Sequence, residues 1–350
     1  MKLFHCVMNS SVVLLAAALL HTPAMASDAV PPSYKIVKEV PLGAPDKWDF
    51  VFFDPSSNRV YVSHRTQIDV VDVAQGKVVG EIPGIGQSHG VVTVPSLGRG
   101  YADDGATESV TVFDLKTLAN IATAAADTDA DAMVFDPASN RVFVMNANGN
   151  SVTAIDAAQD KSLKTMPLAG APESAAADGR GKLFINIAST NEIVAFDTNT
   201  LTITARWPVP ACEKPHGMAM DDVTNRLFVS CVNARMLVVN ALNGAVVANL
   251  PIGKGTDAAA FDPERKLAFS SNGEGTLSVI AERGANEFVG LGNIETAPGA
   301  RTMALDPKTG RIFLVTAELA QTQPPAAPGH GPHYAYVPGS TKLLILEPAR

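Results

Sequence analysis

The chain has 350 residues, a formal net charge of −8 at pH 7, and 24 prolines and 27 glycines. This mildly acidic balance argues against nonspecific capture of nucleic acid by a basic surface, so nucleic acid is not an expected partner. Proline and glycine are spread evenly between alternating apolar runs, a pattern that predicts strands and turns and leaves little room for long helices.

The first 26 residues have the three parts of a secretory signal peptide. A charged start at Lys2 precedes an apolar stretch, residues 12–20, which is followed by the small-x-small site Ala24-Met25-Ala26. The apolar stretch is shorter than the roughly 20 residues that a spanning helix needs, and no later run approaches that length. We therefore expect a signal peptide over residues 1–26, export to the periplasm or secretion, and a mature protein without a membrane span.

A repeat of about 40 residues runs through the rest of the chain. Each unit contains an Asp-Pro-like turn, then a basic residue and an apolar-aromatic strand, most clearly at residues 54–62, 136–144 and 306–314. The position of Tyr61 recurs at residues 101, 143, 184, 228, 268 and 313. This period is what four short antiparallel strands per propeller blade require. The sequence therefore predicts an all-β fold, a seven-bladed β-propeller with four-stranded blades, as a single domain over residues 27–350.

The two ends of the mature chain complement each other. The last repeat lacks a fourth strand, because its third strand, residues 342–347, ends three residues before the terminus. Residues 35–41 near the N-terminus have the pattern of a fourth strand, like residues 77–83 in the first repeat. We expect the N-terminal strand to join the last blade and close the ring, which removes an exposed sheet edge.

The strand motifs resemble those of a known repeat family. Residues 60–64, 142–146 and 227–231 are similar to the Tyr-Val-Thr-Asn signature of the YVTN β-propeller repeat family, and the resemblance covers essentially the whole mature chain. It implies an exported, WD40-like propeller. Members of the family include cell-surface and periplasmic proteins, and related propellers include lactonases and antibiotic lyases. Such a resemblance is specific for the fold and says little about function.

One position of the repeat is ionisable in all seven units. It lies five residues before the residue that closes the first strand, and we call the set the ionisable ring. Its members are Asp49, His89, Asp131, Glu173, His216, Asp257 and Arg301. First strands are innermost in a propeller, so these side chains should line one mouth of the central channel. His64, at the end of a second strand, is expected to join them.

Blade seven carries an insertion at the same face, residues 317–340, which contains His330, His333, Tyr334 and Tyr336. The equivalent connection in blade one is only residues 65–67. A long insertion without secondary structure in a compact fold is typical of a lid or binding loop, or of a disordered segment.

The composition of the ring favours a divalent metal ion or another cation. With neutral histidines its formal charge is −3, and imidazole with carboxylate suits Zn²⁺, Mn²⁺, Fe²⁺ or Cu²⁺ better than Ca²⁺. Polar residues are also needed simply to line a wet channel, so the ring alone does not establish a function. The candidate metal clusters are Asp49, His64 and His89, and Glu173, His216 and Asp257. The candidate catalytic residues are His89, His216 and Glu173.

The cysteines fit an oxidising compartment. Cys6 lies in the predicted signal peptide, which leaves Cys212 and Cys231 as the cysteines of the mature chain. We expect them to form a disulfide.

Two functions are compatible with this sequence. The first is an exported binding or scaffold protein that takes a protein partner, a small molecule or a metal ion at the channel face. The alternative is a metal-assisted hydrolase or lyase, similar to a lactonase, that uses the histidines and carboxylates of the ring. We favour the first, because fold and chemistry are only loosely linked.

Overall fold

The computed structural model describes residues 31–323 and 333–349, and within these ranges the secondary structure is strands and one 3-10 helix. Among these residues we find no helix with the length and apolarity that membrane crossing requires. The predicted signal peptide lies outside the described residues.

The strands form seven four-stranded antiparallel blades, which confirms the predicted seven-bladed β-propeller. Blades one to three contain β2 (Val51–Asp54), β3 (Arg59–Asp72), β4 (Lys77–Ser88), β5 (Val91–Val94), the 3-10 helix (Pro95–Leu97), β6 (Arg99–Asp104), β7 (Ser109–Asp114), β8 (Asn120–Ala125), β9 (Ala130–Asp136), β10 (Arg141–Asn146), β11 (Ser151–Asp156) and β12 (Lys161–Pro167). In blade one β3 supplies both middle strands, since residues 59–62 pair with β2 and residues 67–72 pair with β4.

The later blades follow the same order. Blades four to six contain β13 (Pro172–Ala177), β14 (Lys182–Ile187), β15 (Glu192–Asp197), β16 (Thr202–Pro208), β17 (Pro215–Asp221), β18 (Arg226–Cys231), β19 (Arg235–Asn240), β20 (Val246–Pro251), β21 (Thr256–Asp262), β22 (Leu267–Asn272), β23 (Thr276–Gly284) and β24 (Glu287–Glu295). Blade seven and its insertion contain β25 (Met303–Asp306), β26 (Arg311–Thr316), β27 (Leu319–Gln323), β28 (His333–Tyr336), β29 (Thr341–Pro348) and, from the N-terminus, β1 (Tyr34–Gly43).

The repeated aromatic position builds the core between blades. In six blades it holds a large aromatic side chain with at most 1% of its surface exposed: Tyr61, Tyr101, Phe143, Phe184, Phe228 and Phe313. Burial of one such side chain contributes about 1.5–3 kcal/mol. The repeated aspartate at the end of the first strand closes the following turn. In blade one Asp54 accepts hydrogen bonds from the backbone N–H of Ser56 and from the hydroxyls of Ser56 and Ser57, which is why Asp recurs there.

The N-terminal strand closes the ring as predicted. β1 pairs antiparallel with β29, with Val40 opposite Leu343, and completes the sheet in the order β1-β29-β26-β25. Val40 is buried in the core that blade seven shares with blade one. Every blade therefore has a neighbour on each side.

The insertion in blade seven is more ordered at its base than the sequence indicated. β27 and β28 pair as an antiparallel hairpin, with Leu319 opposite Tyr336 and Gln323 opposite His333. The intervening residues 324–332, which include His330, lie outside the described residues.

Candidate functional site

The seven ring positions lie at the entrances to the inner strands, and the structure joins them into two ion-paired groups. The first group consists of Asp49, His89 and Asp131, from blades one to three. The second consists of Glu173, His216, Asp257 and Arg301, from blades four to seven. In both groups a histidine from one blade bridges carboxylates from its two neighbours.

His89 is the centre of the first group. Its Nδ1 lies 2.7 Å from Oδ2 of Asp49 and 3.1 Å from Oδ1 of Asp131. Its Nε2 lies 2.8 Å from the side-chain amide of Gln87. An amide can present either its oxygen or its nitrogen, so Gln87 can partner the neutral or the charged ring.

A buried carboxylate fixes the backbone at His89. Asp103, on β6, accepts the N–H of His89 at 2.7 Å and that of Gly90 at 2.8 Å. Burial raises the pKa of Asp103 to about 7. Neither Asp103 nor Gln87 occupies the repeat position that defines the ionisable ring, so the repeat gave no reason to select them. The only available signal was the acidic pair Asp103-Asp104 at the end of a strand.

Electrostatics make His89 a cation at neutral pH. Burial by itself lowers its pKa, but the hydrogen bond to Asp49 and the charges of Asp131 and Asp103 outweigh burial and raise the pKa to about 9. Desolvation is also the main reason why the pKa values of Asp49 and Asp131 lie above the usual value for aspartate. The formal ring charge of −3, which assumed neutral histidines, is therefore too negative.

The second group continues the same pattern. Nδ1 of His216 lies 3.1 Å from Oδ1 of Asp257 and 3.8 Å from Oε2 of Glu173, and Nε of Arg301 lies 3.0 Å from Oδ2 of Asp257. Burial would raise the pKa of Asp257, but Arg301 and His216 prevail and hold it below its usual value. Burial lowers the pKa of His216, but the bond to Asp257 outweighs it and the net shift is upward. Glu173, which is desolvated and has the more distant partner, has a raised pKa.

His64 does not join either group. It is fully buried, its Nδ1 lies 2.6 Å from Oδ2 of Asp69 and its Nε2 contacts the carbonyl oxygen of Pro45. Both ring nitrogens are thus engaged inside the protein. The candidate cluster of Asp49, His64 and His89 is therefore corrected: Asp131 takes the place expected for His64.

The corrected group is the one set of described residues with metal-ligand spacing. One ligand atom from each of Asp49, His89 and Asp131 lies within 4.8 Å of the others. Nδ1 of His89 already faces both carboxylates. A metal ligand must be deprotonated, so an ion bound at Nδ1 would have to displace the proton there.

A pocket opens above the ring, and we call it the mouth pocket. Its volume is about 640 Å³. Its floor is formed by Asp49, His89, His216, Asp257 and Arg301, and Trp48, Tyr334 and Tyr336 form an aromatic wall on one side. The insertion in blade seven therefore contributes to the pocket through β28.

In the aromatic wall, Tyr336 packs closely against the backbone of Gly299. The rings of Trp48 and Tyr336 meet edge to face with centroids 4.9 Å apart. The hydroxyl of Tyr336 lies over Gly299, where a Cβ atom would stand 1.7 Å from Oη. Gly299 also has a φ of +78°, which favours glycine.

Below the ring most of the side chains that line the channel are apolar. A smaller cavity of about 150 Å³ is lined by side chains one to three positions further along the inner strands, such as Phe52, Val91, Met133, Met218 and Met303. The carboxylates of the ring therefore lie directly above mainly apolar side chains of the inner strands, which contributes to their desolvation.

A disulfide fixes the approach to His216. Cys212 and Cys231 are bonded, with their Cα atoms 5.2 Å apart, a separation usual for such bridges. Cys231 pairs across the sheet with Pro215, the residue before His216.

Comparison with known proteins supports the fold. No protein-family model matches this chain, and a search of curated proteins finds no match. Among solved structures, a chain of the crystal structure of the mitotic checkpoint complex aligns with a TM-score of 0.68 and 13% identity, covering 97% of this chain and 99% of that one. Hydrazine synthase of Kuenenia stuttgartiensis aligns with a TM-score of 0.67 and 13% identity, covering 76% of this chain and 91% of that one. At this identity the likeness shows a shared β-propeller fold alone.

Proposed function

We propose that the protein is an exported β-propeller of the YVTN type that binds a small polar ligand in the mouth pocket. The observation that supports this function best is the meeting of the ionisable ring and the aromatic wall around one cavity of about 640 Å³. Pockets for small molecules usually measure about 300–1,000 Å³ and combine apolar walls with a few polar groups that orient the ligand.

The protonation and ion pairing of the ring residues favour ligand binding over general-base catalysis. His89 carries its proton at neutral pH, since its pKa is raised to about 9, whereas a general base must be free to accept one. Asp49 and Asp257 are already held by ionic partners. These ion pairs provide a fixed arrangement of charges for recognition.

Export is supported by the chemistry of the chain. The N-terminal segment has the pattern of a signal peptide, and the Cys212–Cys231 disulfide suits an oxidising compartment. Expression of the full-length chain in a bacterium, followed by mass determination of the periplasmic product, tests this part. Cleavage after Ala26 is expected, and an uncleaved cytoplasmic product would contradict it.

The binding function is tested by a thermal-shift panel on the mature protein. The panel contains small organic anions, cations and neutral molecules, together with zinc and manganese chloride. We expect ligands of the pocket to raise the melting temperature of the wild type and of Trp207→Phe, but not of Trp48→Ala. Trp207→Phe is the control for loss of a tryptophan outside the pocket, because Trp207 packs on Phe184 in an outer strand and does not line the pocket. Stabilisation that persists in Trp48→Ala would place the binding elsewhere and contradict the proposal.

A further inference from the structure

The lining of the mouth pocket contains more cationic than anionic side chains. Its lining contains four permanent cations, Lys47, Arg65, Lys214 and Arg301, against the three carboxylates of Asp46, Asp49 and Asp257. The formal balance of the lining is thus +1 before any histidine is counted. The whole chain, by contrast, carries −8. The two ring carboxylates that do not line the pocket, Asp131 and Glu173, face His89 and His216.

The carboxylates of the lining are already occupied. Asp49 is paired with His89 at 2.7 Å, and Asp257 lies between Arg301 and His216. The carboxylate of Asp46 accepts the backbone N–H of Gly339. These groups have little capacity left for a cationic ligand, because their charges are neutralised or their oxygens are hydrogen-bonded.

The cations, in contrast, are available. Lys47, Arg65 and Lys214 are exposed and form no ion pair with the residues that the structure describes. Arg301 uses Nε toward Asp257, while its Nη groups make no hydrogen bond within the described ranges, and 53% of its side chain is exposed. A guanidinium with free N–H groups is suited to bind a carboxylate or a phosphate.

The aromatic wall defines the rest of the ligand. Trp48, Tyr334 and Tyr336 are half-buried and line the same pocket as the four cations. Aromatic faces attract cations as well as flat rings, but the unpaired Lys47 in the same lining disfavours a positive ligand. A flat, negatively charged molecule satisfies both parts of the lining.

We propose that the mouth pocket binds a small planar organic anion, an aromatic carboxylate or an aryl phosphate. Its anionic group is held by Arg301 and Lys47, and its ring lies against Trp48 and Tyr336. This inference rests on the proposed binding function and specifies its ligand class.

The test uses three probes of the same shape and different charge: benzoate, benzamide and benzamidine. Trp207→Phe leaves Trp48 as the tryptophan of the chain, so its emission reports on the pocket directly. We expect benzoate to change this emission at a concentration about tenfold lower than benzamidine, as one additional favourable ion pair predicts. At equal ionic strength, and with each quencher normalised to its effect on free tryptophan amide, iodide should quench Trp48 more steeply than caesium, in spite of the negative charge of the whole chain.

Charge variants in the same background identify the groups involved. Lys47→Gln and Arg301→Gln should each abolish most of the preference for benzoate. Lys164→Gln, at an exposed lysine of the outer strand β12, makes the same change away from the pocket and should preserve it.

Three outcomes would overturn the inference. A tighter response to benzamidine or benzamide that still requires Trp48 would disprove the anionic class and leave the binding function intact. Equal loss of preference in Lys164→Gln would show that general charge is responsible. If no probe changes the emission and iodide quenches no more than caesium, the inference fails, and the thermal-shift panel decides the binding function independently.

Discussion

The ionisable ring derives its properties from pairs of residues rather than from single ones. His89 is held by Asp49 and Asp131 from the two neighbouring blades, and His216 by Glu173 and Asp257. Each histidine therefore links three blades by charge at the mouth of the channel.

The pKa of His89 leads to a prediction about stability and pH. Because its folded pKa of about 9 lies above the ordinary value of 6.5, its contribution is fully present below pH 6.5 and is lost as the pH rises through 9. The loss should be on the order of 3 kcal/mol. Denaturant unfolding between pH 6 and pH 10 should show this fall in the wild type and a smaller one in His89→Gln. An NMR titration midpoint of the His89 ring near 6.5 would contradict the prediction.

Gly299 provides a second test at the scale of one residue. Gly299→Ala should displace Tyr336, since the new Cβ would stand 1.7 Å from its hydroxyl, and should destabilise the protein by about 1–3 kcal/mol. The emission of Trp48 should shift as Tyr336 leaves it. Gly43→Ala is the control, because its φ of +81° is similar and no atom lies within 4 Å of the added Cβ. An equal emission change in both variants would show that Tyr336 had not been displaced.

The sequence predicted the members of the ring better than their partners. Spacing places seven ionisable residues at one phase of the inner strands, but it does not tell where a side chain at the end of a second strand points. His64 faces inward to Asp69, so it is absent from the group that includes Asp131. The repeat position that defines the ring does not include Gln87, Asp103 or Gly299. Their roles depend on contacts that cannot be deduced from sequence spacing.

At the scale of elements, closure by β1 predicts a difference between two valines of that strand. Val40 is 2% exposed in the core between blades seven and one, whereas Val37 is 50% exposed. Val40→Asp should destabilise the protein by about 3 kcal/mol or more, because it buries an unpaired charge, and Val37→Asp should change stability by less than about 0.5 kcal/mol. Thermal unfolding of the two variants measures the difference. Equal melting temperatures would argue that β1 does not close the ring.

The disulfide yields a prediction for the strand that carries His216. The bridge joins cysteines 19 residues apart, and a closed loop of this size stabilises a protein by about 3 kcal/mol in the chain-entropy description. The Cys212→Ala, Cys231→Ala double variant should therefore unfold at a lower temperature than the wild type. A reducing agent should lower the melting temperature of the wild type and leave the double variant unchanged. A wild type insensitive to reduction would contradict this contribution.

For the whole molecule, the repeat was sufficient to predict the architecture. The recurrence of the Tyr61 position, the Asp-Pro turns and the missing last strand define seven blades and their closure, because each feature is local and is repeated at a fixed spacing. The hairpin at the base of the blade-seven insertion was not predicted, since β27 and β28 occur once and pair across a segment of nine residues, 324–332. The mouth pocket likewise combines residues from distant parts of the chain, from Trp48 to Tyr336.

The most direct test of the account is a crystal structure of residues 27–350 with the best-binding small molecule from the thermal-shift panel. We expect the ligand in the mouth pocket, with its flat part against Trp48 and Tyr336 and its polar group near Arg301. A ligand bound on the outer strands of the blades, with the mouth pocket holding only water, would contradict the proposal that this pocket is the functional site.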